Sequence, residues 1–224
     1  DEAVAEAEPN RLAVTAFRPN DLLFPIQHAA QGLDLERAWD IARGDPGVLV
    51  AVVDTGVDLD HPDLQAHLAP GRDVINATGR PEDENGHGTA MAGIIAAEAD
   101  NTLGVAGVAA GCRILPVKVA DAEGLGPIAD LAAGIQWAAD QGARVINVSM
   151  GTRTDSSLLS DAVDYARRQG ALVVAAGGNE LVHHEMYPAA YEQVVGVGGA
   201  ANETDELAFS TVVAAGTDVF APSE

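Results

Sequence analysis

Cysteine occurs once in the 224 residues, at Cys112, and lysine once, at Lys118. A single thiol cannot close an internal disulfide, so the fold does not rest on disulfide staples. Basic side chains are scarce altogether: 12 Lys and Arg stand against 34 Asp and Glu, a formal net charge of −22. Phosphate contacts need cationic side chains, so this balance excludes a generic nucleic-acid-binding surface. It also argues against docking on anionic lipid. No apolar run reaches the roughly 18 residues of a membrane-spanning helix. Residues 1–8 hold four carboxylates and lack the basic-then-apolar pattern of a secretory leader, while a leader removed upstream would leave no trace here.

What is present argues for a folded domain: 47% of the residues are hydrophobic and 24 are glycine. The length suits one medium domain with a sizeable core. From Leu33 onward, short β-rich runs (48–53, 113–119, 144–149, 171–176 and 193–197) alternate with helical patterns (89–97, 128–141 and 157–169). The runs are continuously apolar, as Val48-Leu49-Val50-Ala51-Val52-Val53 shows. That is the pattern of strands buried on both faces. Strand, helix and strand at this spacing predict βαβ units in one α/β domain with a mostly parallel sheet. No repeat or linker interrupts it.

In such sheets the functional groups gather at the carboxyl ends of the strands. Asp54 stands there, after 48–53, where a partly buried carboxylate needs a partner. A turn or helix-capping aspartate would also fit that position. The candidate partner is His87 in Asn85-Gly86-His87-Gly88-Thr89, whose flanking glycines permit close backbone approach. An Asp–His pair is the orienting half of a nucleophilic triad, the carboxylate fixing the tautomer and the other ring nitrogen acting as base. Asn179, after Gly177-Gly178, could donate its amide to a developing oxyanion. It could equally be a turn asparagine.

These residues carry a resemblance. Val50 to Asp58, followed by His61-Pro62-Asp63-Leu64, resembles the aspartate block of subtilisin-like serine proteases. Asn85 to Thr89 with Ala92-Gly93 resembles their histidine block, and Val173 to Glu180 their oxyanion-asparagine block. Trp39-Asp40-Ile41 and Ala138 to Ala143 are similar to the thermitase-like branch. The resemblance runs from about Pro19 to Pro222 and implies a three-layer subtilisin-like α/β fold, with helices on both sides of the sheet. It implies a secreted serine endopeptidase in which Asp54 orients, His87 is the general base and Asn179 the oxyanion donor. Gly124-Leu125-Gly126 and Ser149-Met150-Gly151 would pair with an extended peptide substrate. Ala176-Gly177-Gly178 and the region of Met186 would line the pocket for the side chain before the cleaved bond.

The sequence departs from the family pattern in two places. Ala90 stands where the family usually has a second His. The nucleophile block, Gly-Thr-Ser-x-Ala-x-Pro, is absent. The sequence ends at Val219-Phe220-Ala221-Pro222-Ser223-Glu224, which resembles the strand and turn before that block. The expectation is a catalytic domain over 18–224 whose nucleophile lies outside these residues, on a second chain or a C-terminal segment. By itself the chain would be inactive. Residues 1–17 resemble the end of an inhibitory prodomain, with an uncut zymogen junction near Ala16 to Arg18. The alternative is a catalytically inactive subtilase-like scaffold that uses the cleft for binding.

The resemblance also implies a structural calcium site built from Asp21, Asp63, the Asn101 side chain and the carbonyls of Leu103 and Val105. Calcium takes six to eight oxygens and accepts carbonyls, although 99–105 also reads as an ordinary polar turn. An EF-hand over Asp58, Asp60 and Asp63 fails, because Pro62 stands where a ligand is required. His183-His184-Glu185 is a poor zinc candidate, since adjacent residues rarely converge on one ion. Gly124-Leu125-Gly126-Pro127-Ile128-Ala129 fits a dinucleotide fingerprint, but Ile146-Asn147-Val148-Ser149 offers no acid at the required distance.

Overall fold

The computed structural model describes residues 17–178, 185–200 and 217–222. Seven strands form one sheet: β1 (Leu49–Asp54), β2 (Arg72–Asp73), β3 (Arg113–Lys118), β4 (Val145–Val148), β5 (Leu172–Ala176), β6 (Val194–Ala200) and β7 (Val219–Pro222). Their order is β2-β3-β1-β4-β5-β6-β7, and every adjacent pair is parallel. Among the described residues every strand pairing is parallel, in agreement with the mostly parallel sheet expected. The helices are α1 (His28–Gly32), α2 (Leu35–Trp39), α3 (His87–Ala96), α4 (Ile128–Asp140) and α5 (Ser157–Arg168).

Alternate residues of β1 feed two separate cores, as the period of two along a strand requires. Ala51 and Val53 pack with Leu131 and Ile135 of α4 and Leu159 and Val163 of α5. Val50 and Val52 pack with Ala92 and Ala96 of α3 and with Leu64. This puts α4 and α5 on one side of the sheet and α3 on the other, which accounts for the three layers. It also explains the continuous apolar run of β1, whose last five residues are all buried. A third cluster, Phe24, Ala30, Leu35, Trp39 and Ala106, ties α1 and α2 to the body.

The edge strands were harder to read. β2 has two residues and β7 four, too short for a hydrophobic period to register. The sheet order reverses between β3 and β4 on either side of β1. This is the switch point at which α/β proteins place their ligand crevice.

Candidate active site

Asp54 is the last residue of β1, and its side chain is buried by the strands beside it. His87 is the first residue of α3, which packs on the same strand through Ala92 and Ala96. The two meet there: His87 Nδ1 lies 2.7 Å from Asp54 Oδ1. Oδ1 also accepts the Thr55 N–H at 2.7 Å, while Oδ2 is buried with no hydrogen-bond partner among the described residues. With the carboxylate on Nδ1, that nitrogen carries the proton, and Nε2 is the ring nitrogen able to accept one. The His87 side chain is 47% exposed while that of Asp54 is 3% exposed, so the base is open to solvent and its anchor is shielded from it.

The glycines around His87 serve two different ends. Gly86 has φ +100°, a conformation in which a side chain is strained. At Gly88 a β-carbon would run into the Gly56 carbonyl oxygen. Gly88 therefore lets α3 touch the end of β1, which brings the imidazole within reach of Asp54.

A cleft of about 200 Å³ opens at this pair, lined by Asp54, Thr55, Asn85, His87, Gly124, Ser149 and Met150. A second cavity of about 310 Å³ adjoins it, sharing Ser149 and bounded by Asn147, Val174, Ala176, Gly178 and Val197 among others. Of the residues expected to hold substrate, Gly124, Ser149 and Met150 line the first space, and Ser149, Ala176 and Gly178 the second. Gly177 donates its N–H to Val197 at 2.8 Å. Leu125 is largely exposed, and its N–H and carbonyl are both engaged by Asp121. Gly126 packs against the Val119 carbonyl, where a β-carbon would not fit. Met186 lies between Gly151 and Gly178, so that β-carbons on those glycines would meet its side chain at 2.9 and 3.1 Å. Asn179, His183 and His184 fall outside the described residues.

Three residues organise the site in roles that the sequence did not assign to them. Asp83 accepts hydrogen bonds from the backbone of Asn85, Gly86 and Thr89 and from the hydroxyls of Thr55 and Thr89. Burial alone would raise its pKa. The bonds from Thr89, Gly86 and Asn85 outweigh that and hold it at about 2. Lys118, buried at the end of β3, donates to the Thr55 carbonyl at 2.8 Å and approaches Glu84 at 3.5 Å. Asn85 bridges the histidine loop and the 121–126 loop through the Ala122 carbonyl at 2.8 Å. An Asx turn ahead of Asn-Gly is the one pattern that could have pointed to Asp83.

The expected calcium residues also come together. Asp21 and Asp63 are both buried. Asp21 accepts the backbone N–H of Asp100 at 2.7 Å and of Asn101 at 3.3 Å. Asp63 accepts the Asn101 side-chain amide at 2.6 Å and the Val105 N–H at 3.2 Å. The Leu103 N–H donates to Asn101 Oδ1 at 2.7 Å. Asp100, Thr102 and Gly104 all have positive φ, so the 99–105 loop is strained at two non-glycine residues. Among the described residues, no group of three His, Cys, Asp or Glu side chains converges as a metal cluster. No helix there is long and apolar enough to cross a membrane.

Comparison with known proteins agrees with this geometry. Over 220 residues the chain is 43% identical to a thermophilic serine proteinase of Bacillus sp. strain AK1, covering 98% of this chain and 55% of that protein. Over 207 residues it is 42% identical to thermitase of Thermoactinomyces vulgaris, covering 92% of this chain and 74% of that one. Subtilisin BL of Lederbergia lenta is 41% identical over 176 residues, 79% of this chain and 64% of that one. The chain thus spans between about half and three quarters of the length of these relatives. A solved protease structure from Pseudoalteromonas arctica PAMC 21717 superposes with a TM-score of 0.84 at 32% identity, covering 91% of this chain and 72% of that one. Residues 45–223 match the model of the subtilase family, peptidase S8. With the Asp54–His87 pair at the switch point of a parallel sheet, the chain belongs to the subtilase family of serine peptidases.

Proposed function

We propose that the protein containing this chain is a secreted serine endopeptidase. The observation that carries the reading is the 2.7 Å contact between His87 Nδ1 and Asp54 at the mouth of a cleft bordered by Gly124, Ser149 and Met150. A serine hydroxyl attacks the peptide carbonyl while His87 Nε2 takes its proton, and Asp54 stabilises the imidazolium. Asn179 donates to the oxyanion of the tetrahedral intermediate. His87 then returns the proton to the leaving amine, leaving an acyl-enzyme that water hydrolyses by the same route. The segments 124–126 and 149–151 flank an extended substrate backbone, and Ala176, Gly177, Gly178 and Met186 surround the side chain before the cut.

The nucleophile comes from a segment outside these 224 residues, either further along the chain or on a second one. Burial in the sheet supports this. In β5 and β6, Val173, Ala175, Val194 and Gly196 are buried, whereas Val174, Ala176, Val195 and Val197 on the opposite face are only half-buried. That half-open face borders the 310 Å³ cavity, which shares Ser149 with the catalytic cleft. A segment packed there would border, through Ser149, the cleft that His87 lines.

Calcium suits the Asp21–Asp63 site. Both carboxylates are buried, and neither has a cationic partner among the described residues. Burying unpaired carboxylates is costly, and a divalent cation offsets that cost. Asp21, Asp63, the Asn101 side chain and the carbonyls of Leu103 and Val105 would hold the ion, which would lock the N-terminal segment to the 99–105 loop.

The test is hydrolysis of an internally quenched peptide by the product of the complete coding sequence. Cleavage that is lost in His87→Ala supports the reading. A folded complete product that cleaves neither peptide nor denatured protein favours the scaffold alternative.

A further inference from the structure

His87 opens α3, and its backbone is set by a carboxylate four residues earlier. Asp83 Oδ1 accepts the N–H groups of Asn85 at 3.0 Å and Gly86 at 2.9 Å, and the Thr55 hydroxyl at 2.8 Å. Its Oδ2 accepts the N–H of Thr89 at 2.9 Å and the Thr89 hydroxyl at 2.6 Å. Both hydroxyls relay further. Thr55 Oγ1 accepts the Gly88 N–H at 3.0 Å, and Thr89 Oγ1 accepts the Asp58 N–H at 2.9 Å. Asp83 is thereby bonded, directly or through one hydroxyl, to residues on both sides of His87. It is also bonded to Thr55, whose N–H lies on the Asp54 carboxylate.

All five of these contacts donate into Asp83, so each needs an acceptor, and only an ionised carboxylate presents acceptors alone. A helix start would be satisfied by one or two such bonds. Here the Thr55 hydroxyl adds a bond to the end of β1, and the Gly88 N–H on Thr55 and the Asp58 N–H on Thr89 extend the link between α3 and the segment after β1. We propose that Asp83 is a positioning residue for the Asp54–His87 pair: through Thr55 and Thr89 it fixes the separation of the carboxylate and the imidazole. The proposal takes from the preceding section only the role of His87 as base.

The complete protein with Asp83→Asn tests it, because an amide must present N–H to one set of donors. Two readouts distinguish positioning from simple helix capping. The first is the proton NMR signal of the His87 Nδ1–H held by Asp54. The second is the division of the effect between kcat and KM for a peptide substrate. The expected result is loss or exchange broadening of that signal, with kcat falling roughly ten- to hundredfold and KM little changed. Thr89→Val, which removes one hydroxyl relay, should reproduce a weaker form of both effects, and Thr89→Ser should restore them. This pair decides the matter if Asp83→Asn does not fold. An unaltered signal and unaltered kcat in a variant that only melts earlier would overturn the proposal. A wild type with the signal but no peptidase activity, in which Asp83→Asn still abolishes the signal, would overturn the proposed function and leave the positioning role standing.

Discussion

Gly88 faces the carbonyl of Gly56 so closely that no β-carbon fits between them. This contact joins the first turn of α3 to the segment just after Asp54. It makes the spacing of the Asp54–His87 pair depend on a glycine that touches neither side chain's reacting atoms.

Gly88→Ala is therefore expected to push α3 away from β1. Forcing a methyl group into a packed backbone contact costs on the order of 1–3 kcal/mol. A lowered Tm together with reduced activity of the complete protein would agree. A variant as stable and as active as the wild type would show that the contact yields easily.

Asp83 makes a prediction about acid stability. Its folded pKa is depressed to about 2, against an unfolded value near 4. A carboxylate depressed in this way contributes stability above its unfolded pKa, and loses it as pH falls through the folded one. Wild-type stability should therefore fall between about pH 4 and pH 2. Denaturant melts at several pH values should show a shallower decline over that window in Asp83→Asn. Identical slopes in the two proteins would contradict the assigned ionisation.

Much of this is legible in the sequence. The strands at 48–53, 113–119 and 171–176 are continuous apolar runs, and β1, β3 and β5 fall on them within a residue or two. Asp54 and His87 stood out because a strand-end carboxylate and a glycine-flanked histidine are locally conspicuous. Asp83 did not, because its role depends on Thr55, 28 residues earlier, and on a turn whose geometry no periodicity encodes. Lys118 was visible as the only lysine. Its burial under Thr55 follows from the register of Asp54 beside Lys118 in the β1–β3 pair.

The buried Asp21 and Asp63 predict a response to divalent ions. A ligand that binds only the folded state stabilises it by about 2.7 kcal/mol at a hundred times its Kd. Calcium should raise the Tm and a chelator should lower it, and Asp63→Asn should remove most of that difference. A Tm indifferent to both additions would contradict calcium binding at this site.

The most direct test of the central claim is covalent labelling of the complete protein with a fluorophosphonate, followed by peptide mapping. The Asp54–His87 pair predicts a single serine adduct, formed roughly 10²–10⁴-fold more slowly in His87→Ala, the usual weight of a general base. No serine adduct on the folded, complete wild-type protein would contradict it.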